Sequence, residues 1–461
     1  MSEVLEQTAA SWPEVVVSDV SELIRGVTYS KEQATDKPQD GYTPVLRATN
    51  IQESRLVLES DLVFVPDSNV SANQRLRAGD IVVATSSGSK HLVGKSGLVH
   101  SDWRGSFGAF CAAIRPKANI ESRYLAAFLQ SPSYWKQVGK KALGVNINNL
   151  RRGDIESLTL PLPTLTKQRE IVAELEKQFS RLDEAVANLQ RVKVNLKRYK
   201  ASVLKAAVEG RLVETEATLA HREGRTYETG EQLLQRILEE RRAKWAGKGQ
   251  YKEPEATNVS DLGKLPEGWT WASAVQACEQ VVDCHNKTAP YTSTGIPLVR
   301  TTNIKDGRLL LDDTRYVDQP TYEFWSRRCP PEPGDVLFTR EAPMGEAGII
   351  PPGVKLCLGQ RTMLMRPSPA ISSSFLLSAL LSPVVKDLID RVAVGSGVKH
   401  LRVGDVERLP VPLPPVGEQA RIVAEVDRHL SILREVEAEV DANLQRAQAL
   451  RQATLSTAFS R

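Results

Sequence analysis

The sequence predicts an α+β protein that contains two similar mixed domains, each followed by one long helix. Three observations support this fold class. The chain repeats itself at an offset of about 251 residues, each copy contains short strand-like and helix-like runs, and each copy ends in a heptad pattern. A chain of 461 residues is also too long for one ordinary core, since domains usually hold roughly 100 to 200 residues.

The repeat is clearest at the end of each mixed domain. LRRGDIESLTLPLP at residues 150–163 aligns without a gap on LRVGDVERLPVPLP at residues 401–414, and nine of the fourteen positions are identical. Two further pairs match upstream: PVLRATNI at 44–51 with PLVRTTNI at 297–304, and RAGDIVVAT at 77–85 with EPGDVLFTR at 332–340. The two halves therefore share one frame.

Within each mixed domain the local patterns predict strands and short helices. The runs at 80–84 and 335–339 follow a Gly-Asp turn and are rich in β-branched or aromatic residues, which is typical of strands. Residues 121–130 and 373–381 predict short helices. Each domain is therefore expected to be α+β.

After the Pro-Leu-Pro motif, the period of the hydrophobic residues changes to seven. The expected seam residues are Leu175, Leu182, Leu189, Leu196, Val203, Val426, Leu433 and Val440. A helix over residues 168–209 would be about 63 Å long at about 1.5 Å per residue. Two helices with matching seams can bury them against each other, antiparallel under a pseudo-twofold axis. The alternative is that each helix packs on its own domain.

These patterns divide the chain into five segments. They are a first mixed domain, a first long helix, a linker with a short helix, a second mixed domain and a second long helix, at residues 1–165, 166–211, 212–262, 263–416 and 417–461. The linker helix is expected to end near Gly247. The second long helix reaches Ser460 and Arg461 where the first continues into Gly210, which predicts a shortened final turn.

Composition limits the possible classes of protein. The net charge of +4 permits nucleic-acid binding without requiring it. The N-terminus resembles no signal peptide, and no run approaches about 18 apolar residues, so a cytoplasmic protein without a membrane segment is expected. Five cysteines without a CxxC pair predict reduced thiols. Cys278, Cys284 and His285 lack a fourth ligand at zinc-like spacing, so no metal site is expected.

A loop after the first Gly-Asp strand resembles a phosphate-binding loop only superficially. Gly94, Lys95 and Ser96 end like one, but Ser89 stands where the pattern needs glycine, and no helix is predicted to follow. We interpret the loop as a polar, basic surface that can reach DNA phosphates or base edges. Its candidate DNA-binding residues are Ser86, Ser87, Ser89, Lys90, His91, Lys95 and Ser96. A merely solvated loop is the alternative.

The second half of the chain has different side chains at the positions that correspond to this loop. Its candidates are Thr339, Arg340, Lys399, His400 and Arg402, and a further group in the first half is Asn146, Asn148, Arg151 and Arg152. Two copies of one fold that carry different loops would present two different recognition surfaces. A protein that recognises two unlike half-sites requires such a pair of surfaces. The repeated pairs Arg47 with Asn50 and Arg300 with Asn303 are equally compatible with DNA contact and with a structural role.

No constellation of catalytic residues is apparent, because motifs for methyltransferases, dinucleotide binding, zinc proteases and serine hydrolases are absent from the sequence.

A run without acidic residues at 185–208, in the first long helix, can lie near DNA, dock a partner or simply face solvent. The rival hypotheses are a self-sufficient DNA enzyme and a coiled-coil interaction protein. The enzyme would need cofactor motifs, and the interaction protein would not need two divergent domains on one frame.

Taken together, the repeated GDI/V and PLP segments, the QxxIV helix starts, and RRAKWAGKGQYKEP followed by LPEGW resemble the specificity subunits of type I restriction-modification systems. The resemblance covers nearly the whole chain. It implies that the mixed domains are target recognition domains in a pseudo-twofold arrangement, joined by two antiparallel coiled-coil helices. Each domain would read one part of a split, asymmetric site in double-stranded DNA.

The resemblance also implies partners and cofactors. Two methyltransferase subunits would dock on the helices, and restriction or translocase subunits would join them. S-adenosylmethionine, ATP and magnesium would then be bound by those partners and not by this chain.

Overall fold

The computed structural model describes residues 12–87, 92–142, 149–247, 249–285 and 287–459. The chain forms two compact units. The first comprises Met1–Arg191 and Val440–Arg461, and the second comprises Val192–Glu439. Among the described residues, no helix is both long and apolar enough to cross a bilayer.

The first unit begins with a strand-rich mixed domain. Its elements are β1 (Glu14–Val16), α1 (Val17–Val20), β2 (Ser21–Arg25), β3 (Tyr42–Leu46), β4 (Ile51–Gln52), β5 (Arg55–Leu56), β6 (Val63–Pro66), β7 (Ile81–Ala84), β8 (Ser96–Leu98), β9 (Ser106–Phe107), β10 (Cys111–Pro116), α2 (Ser122–Phe128), α3 (Pro132–Ala142), α4 (Arg152–Glu156) and β11 (Thr159–Pro161). A long helix, α5 (Leu165–Val208), begins in this unit and ends in the second.

The second unit contains two linker helices and the second mixed domain. Its elements are α6 (Glu216–Glu223), α7 (Gly230–Ala243), β12 (Thr270–Ser273), α8 (Ala274–Ala277), β13 (Cys278–Asp283), β14 (Ile296–Val299), β15 (Ile304–Lys305), β16 (Arg308–Leu309), β17 (Arg315–Val317), α9 (Gln319–Trp325), β18 (Val336–Arg340), β19 (Met344–Ile349), β20 (Cys357–Leu358), β21 (Thr362–Pro367), α10 (Ser373–Leu381), α11 (Pro383–Val392), α12 (Val403–Glu407) and β22 (Pro410–Leu413). The second long helix, α13 (Val416–Phe459), begins here and ends in the first unit.

The sheets of the two mixed domains have the same topology. A four-stranded antiparallel sheet has the order β2-β10-β7-β8 in the first unit and β13-β21-β18-β19 in the second. Three-stranded sheets β6-β3-β9 and β17-β14-β20 each combine one antiparallel and one parallel pairing. The duplicated sequence therefore folds as a duplicated structure, and the α+β fold class is confirmed.

The repeated Gly-Asp turn has a clear structural role. Gly79 and Gly334 both have a φ of +92°, a left-handed conformation that glycine adopts at little cost. In the first unit the buried Asp80 carboxylate accepts a hydrogen bond from the backbone nitrogen of Arg77 at 2.9 Å and from Nε of Arg115 at 2.8 Å. Asp335 and Arg366 repeat the pairing in the second unit, also at 2.8 Å. The motif thus fixes the start of β7 and β18.

The long helices match each other residue for residue. Each contains 44 residues, and both ends are related by the 251-residue offset of the repeat. The expected shortening of the second helix is therefore wrong, because α13 continues to Phe459, the counterpart of Val208. The linker also differs from the expectation, since α6 precedes α7. The side chain of Thr215 caps its start and Gly224, at a φ of +64°, ends it.

The long helices contribute to the cores of the mixed domains. In the first unit the core includes Ile171, Val172 and Leu175 from the start of α5 and, from the end of α13, Leu455, Ala458 and Phe459. In the second unit the core includes residues from the start of α13 and the end of α5, namely Ile422, Val426, Val203, Leu204, Ala207 and Val208. Each core is thus completed by both long helices.

Between these ends, the helices of the first unit contact each other directly. Gln178 faces Thr454, with 3.4 Å between their side-chain oxygens, and Asp183 forms an ion pair with Arg451. Residues further along α5 contact residues that come earlier in α13, so the two segments run antiparallel. All eight predicted seam residues are buried or half-buried, although Leu175, Val203 and Val426 belong to domain cores.

Candidate nucleic-acid interface

Backbone pairing brings the two candidate loops of the first unit together. Ser86, just after β7, forms an antiparallel bridge with Asn149, and the nitrogen of Leu150 donates to the carbonyl oxygen of Thr85 at 2.7 Å. The backbone nitrogens of Thr85 and Ser86 both donate to the carbonyl oxygen of Phe110, at 2.9 and 3.1 Å. The end of β7, the turn before β10 and the start of α4 therefore form one surface.

The second unit repeats this arrangement at the corresponding positions. Glu341 forms an antiparallel bridge with His400, and the nitrogen of Leu401 donates to the carbonyl oxygen of Arg340 at 3.0 Å. The nitrogen of Arg340 donates to the carbonyl oxygen of Arg361 at 2.8 Å. The same three segments converge in both units, so the frame of the candidate interface is duplicated along with the fold.

The side chains on this frame differ between the units. Phe110, in the turn before β10, is 68% exposed, whereas Arg361 occupies the equivalent position in the second unit and forms an ion pair with Glu341 at 3.1 Å. The connection that follows β7 spans residues 85–95, but the connection that follows β18 spans only residues 341–343. One frame thus carries an exposed aromatic ring and a longer connection in one unit, and an ion pair and a shorter connection in the other.

Two predicted contact residues are corrected by their burial, and a third is engaged in contacts within the frame. Ser96 and Thr339 are 3% and 0% exposed, and the Thr339 hydroxyl accepts a hydrogen bond from the nitrogen of Glu346 at 2.9 Å. The Arg340 guanidinium pairs with Asp283 at 2.9 Å and donates to the carbonyl oxygen of Leu401 at 3.0 Å. The buried side chains of Ser96 and Thr339 cannot reach a duplex, whereas Arg340 is half-buried, so a DNA contact by it stays a prediction.

The other predicted residues fall into two groups. Among those that line the converging segments, the exposed residues are Arg151, Arg152, Lys399 and Arg402, and the half-buried residues are Ser86, Ser87, Lys95 and His400. Ser89, Lys90, His91, Asn146 and Asn148 lie outside the described residues. DNA contact by any of these side chains stays a prediction.

The repeated Arg-x-Thr-Asn motif proves to be structural at its asparagine. Asn50 is fully buried; its side chain accepts from the nitrogen of Arg47 at 2.8 Å and donates to the carbonyl oxygens of Val57 and Ser60 at 3.1 and 2.8 Å. Asn303 makes the same three hydrogen bonds in the second unit, at 3.0 to 3.3 Å. A buried amide with three partners holds a turn and cannot also read a base.

Sequence reasoning missed one pocket at this surface. A cavity of about 290 Å³ lies beside the end of β7 and is lined by Tyr29, Arg47, Ala48, Thr49, Ser86, Ser87, Gly108 and Phe110. Burial raises the pKa of Tyr29, so its hydroxyl stays protonated and can donate a hydrogen bond at neutral pH. The exposure of Phe110 has no signature in the sequence, because aromatic residues in a strand-rich domain are usually buried.

The structure also bears on the phosphate-binding loop and on the cysteine and histidine residues considered as metal ligands. Ser96 begins strand β8, so Gly94 and Lys95 do not lead into the helix that a phosphate-binding loop requires. Within the described parts of the chain, no three histidine, cysteine or acidic residues are grouped as metal ligands would be. All five cysteines are buried free thiols, and burial raises the pKa of Cys278 to about 12.

Comparison with known proteins gives consistent matches along the chain. The family described as type I restriction modification DNA specificity domain matches residues 10–192 and 286–446. The specificity subunit of the type I restriction enzyme EcoKI from Escherichia coli (strain K12) is 30% identical over 458 residues, which cover 97% of this chain and 88% of that protein. The StySPI specificity subunit from Salmonella potsdam is 40% identical over 201 residues, which cover 44% of this chain and 43% of that protein.

A solved structure supports the fold independently. It is described as the structural basis underlying complex assembly and conformational transition of the type I R-M system. The likeness has a TM-score of 0.61 and a sequence identity of 21%, and it covers 97% of both chains.

Proposed function

Because the chain belongs to the family of type I restriction-modification DNA specificity proteins, we propose that its two units read the two unlike parts of a split, asymmetric DNA site. It is a non-catalytic DNA-recognition component that directs a restriction-modification complex to its target. The observation that carries the proposal is one duplicated frame whose convergent loops carry different side chains, such as Phe110 in one unit and Arg361 in the other.

Each unit has the parts that direct readout requires. Exposed arginines can pair with guanine in the major groove, and serine and histidine side chains can contact phosphates or base edges. In the first unit these roles fall to Ser86, Arg151 and Arg152, and in the second to Lys399 and Arg402. Their backbones are held by strand ends and by the first turns of α4 and α12, so the side chains are presented from fixed positions.

The long helices would set the distance between the two half-sites. Each helix contains 44 residues, which corresponds to about 66 Å at about 1.5 Å per residue. DNA advances roughly 34 Å per turn, so a spacer of this length can separate two readers by more than one turn.

Partners supply the chemistry in this proposal. Two methyltransferase subunits dock along the helices, and restriction or translocase subunits join them. The methyltransferases bind S-adenosylmethionine and modify an adenine, and the restriction subunits use ATP and magnesium. Because the target is cellular DNA, we place the complex in the cytoplasm.

The test is a binding selection with the complex of this chain and its methyltransferase. Duplexes with a randomised region are captured, sequenced and compared with those captured by the methyltransferase alone. We expect one enriched motif with two defined parts and a fixed gap. Enrichment of a continuous motif would refute the split-site reading, and enrichment of no motif would favour an interaction protein without a DNA role.

A further inference from the structure

Helix α9 distinguishes the second unit from the first. It lies between β17 and β18, whereas the corresponding part of the first unit has only two single 3-10 turns, at Asp67–Asn69 and Ala72–Gln74. Around α9 lies a group of aromatic and basic side chains, which we call the α9 cluster: His285, Lys287, Phe324, Trp325, Arg327 and Arg328. None of these residues was singled out as a DNA-binding candidate from the sequence.

The α9 cluster surrounds an open cleft of about 390 Å³. The ring of His285 stacks on that of Trp325, with 4.7 Å between centroids and 25° between planes. The guanidinium carbon of Arg327 lies 4.0 Å from the centroid of Phe324, which is itself 50% exposed. The exposed ring of Phe324 thus holds the guanidinium group of Arg327 at the surface through a cation–π contact.

The positive charges of the cluster are not neutralised within the described structure. Arg327 and Arg328 each donate to a backbone carbonyl, of Phe324 and Asp283 respectively, at 3.4 Å. Among the described residues neither guanidinium has a carboxylate within 4 Å, and the side chain of Asp283, which lines the cleft, pairs with Arg340 at 2.9 Å. One acidic side chain on α9, that of Glu323, is bound by Gln319 at 2.8 Å. Exposed arginines without acidic partners therefore concentrate positive charge beside the cleft.

The position of the cluster relates it to the candidate interface. Asp283 lines the cleft, and its carboxylate binds Arg340, whose backbone pairs with the segment containing His400 and Leu401. The cleft and the convergent loops of the second unit are therefore connected by this ion pair, and also by the backbone hydrogen bond from Cys284 to Thr362 at 3.2 Å.

We propose that the α9 cluster binds the sugar-phosphate backbone of duplex DNA beside the half-site read by the second unit. This inference rests on the proposed function and adds that the α9 cluster contributes affinity while the convergent loops contribute sequence selectivity. Arginine forms paired hydrogen bonds with phosphate oxygens, and such contacts increase affinity and fix register without selecting bases. The first unit has no counterpart of α9, so the two units contribute unequally to affinity.

The test is the double substitution R327A/R328A in the methyltransferase complex. Binding to cognate and to unrelated duplexes is measured as a function of salt concentration. Removing two phosphate contacts should lower the slope of log affinity against log salt by about 1.8 and weaken binding on the order of 10- to 100-fold at 0.1 M salt. The loss should be the same on both duplexes, and the selected motif should not change.

Matched variants separate charge from general disruption. R327K/R328K keeps the charges and should retain most of the salt slope. R222A/R236A removes two arginines that are already paired, with Glu214 and Glu228 at 2.6 and 2.8 Å, and should leave DNA binding unchanged. Inorganic phosphate at millimolar concentration should not compete beyond its ionic-strength effect, whereas saturable competition would indicate a site for free anions instead.

The outcomes distinguish this inference from the proposed function. If the unmodified complex selects a split motif but R327A/R328A leaves affinity and salt slope unchanged, only the α9 inference fails. A loss confined to one half-site sequence would show that the cluster reads bases, which also overturns it. If the unmodified complex selects no motif, the proposed function itself fails.

Discussion

At the scale of single residues, identity between the two halves indicates a structural role. Asn50 and Asn303, Asp80 and Asp335, and the buried glutamines that begin the long helices all form hydrogen bonds that hold the frame. The residues at which the halves differ, such as Phe110 and Arg361, lie on the exposed surface of that frame. Recognition is therefore expected at the unlike positions.

The substitution Asn303→Ala tests the structural half of this rule. It leaves two carbonyl oxygens and one backbone nitrogen without their partner, so the free energy of unfolding should fall by about 1 to 3 kcal/mol. The DNA motif should stay the same. The neighbouring Thr302→Ala, at an exposed position, should change stability by less than about 0.5 kcal/mol in urea titrations. A changed motif with unchanged stability would show that the asparagine contacts DNA.

Arg402→Ala tests the recognition half. The side chain is exposed while its backbone nitrogen is held by Asp405 at 3.2 Å, so the substitution should leave the fold intact. If Arg402 pairs with a guanine, discrimination at one base pair of one half-site should fall by about 1 to 3 kcal/mol. Binding measurements on duplexes with single base changes give this value, and Arg151→Ala should affect only the other half-site. An equal loss on every duplex would instead identify Arg402 as a phosphate contact.

At the scale of elements, the long periodic helices could be predicted, and several short helices could not. The heptad pattern located the long helices to within three residues at each start, because a long amphipathic helix is specified by many residues at once. Helices α3, α6, α9 and α11 were not predicted. Each contains only seven to eleven residues, and capping and packing determine such short helices more than periodicity does.

The candidate site was predicted only in part, for a related physical reason. Residues that hold the frame can be recognised because they recur in both halves of the sequence. The exposure and the hydrogen-bond partners of a side chain, however, depend on contacts between segments that are distant in the sequence. Thr339 and Ser96 have polar side chains suited to DNA and are nevertheless buried, because strand pairing places them inside the sheet. Phe110 has an apolar side chain and is nevertheless exposed.

Phe459→Ala tests the contribution of the last helix to the first mixed domain. Phe459 is 3% exposed, and its ring centroid lies 5.1 Å from that of Tyr124 and 5.8 Å from that of Phe128. The free energy of unfolding should fall by about 3 to 5 kcal/mol. Leu450→Ala, in the same helix but 52% exposed, is the control and should cost little. Proteolysis that first cleaves the second mixed domain in F459A would contradict the assignment of this residue to the first core.

Lengthening both long helices by one heptad tests their role as a spacer. Seven residues inserted after Arg191 and after Glu439 add about 10.5 Å to each helix and keep the seam on the same face. The gap in the recognised site should grow by about three base pairs, at roughly 3.4 Å per base pair, while both half-sites stay the same. Replacing seven existing residues by the same heptad is the control for composition. A changed half-site, or an unchanged gap in a folded complex, would contradict the spacer role.

At the scale of the whole molecule, the chain combines duplication with divergence. Two units with the same sheet order present different loops, connection lengths and, around α9, different charge. An identical pair of units would read a symmetric site, whereas these differences imply an asymmetric one. The two unlike units therefore account for a split site without any catalytic group in this chain.

The most direct test of the central claim is to express this chain with its methyltransferase in a host free of adenine methylation and to map N6-methyladenine across the genome. We predict methylation at one split, asymmetric motif with a fixed gap, and its complete loss when this chain is omitted. Methylation that persists without the chain, or that marks a continuous symmetric motif in a verified complex, would contradict the account.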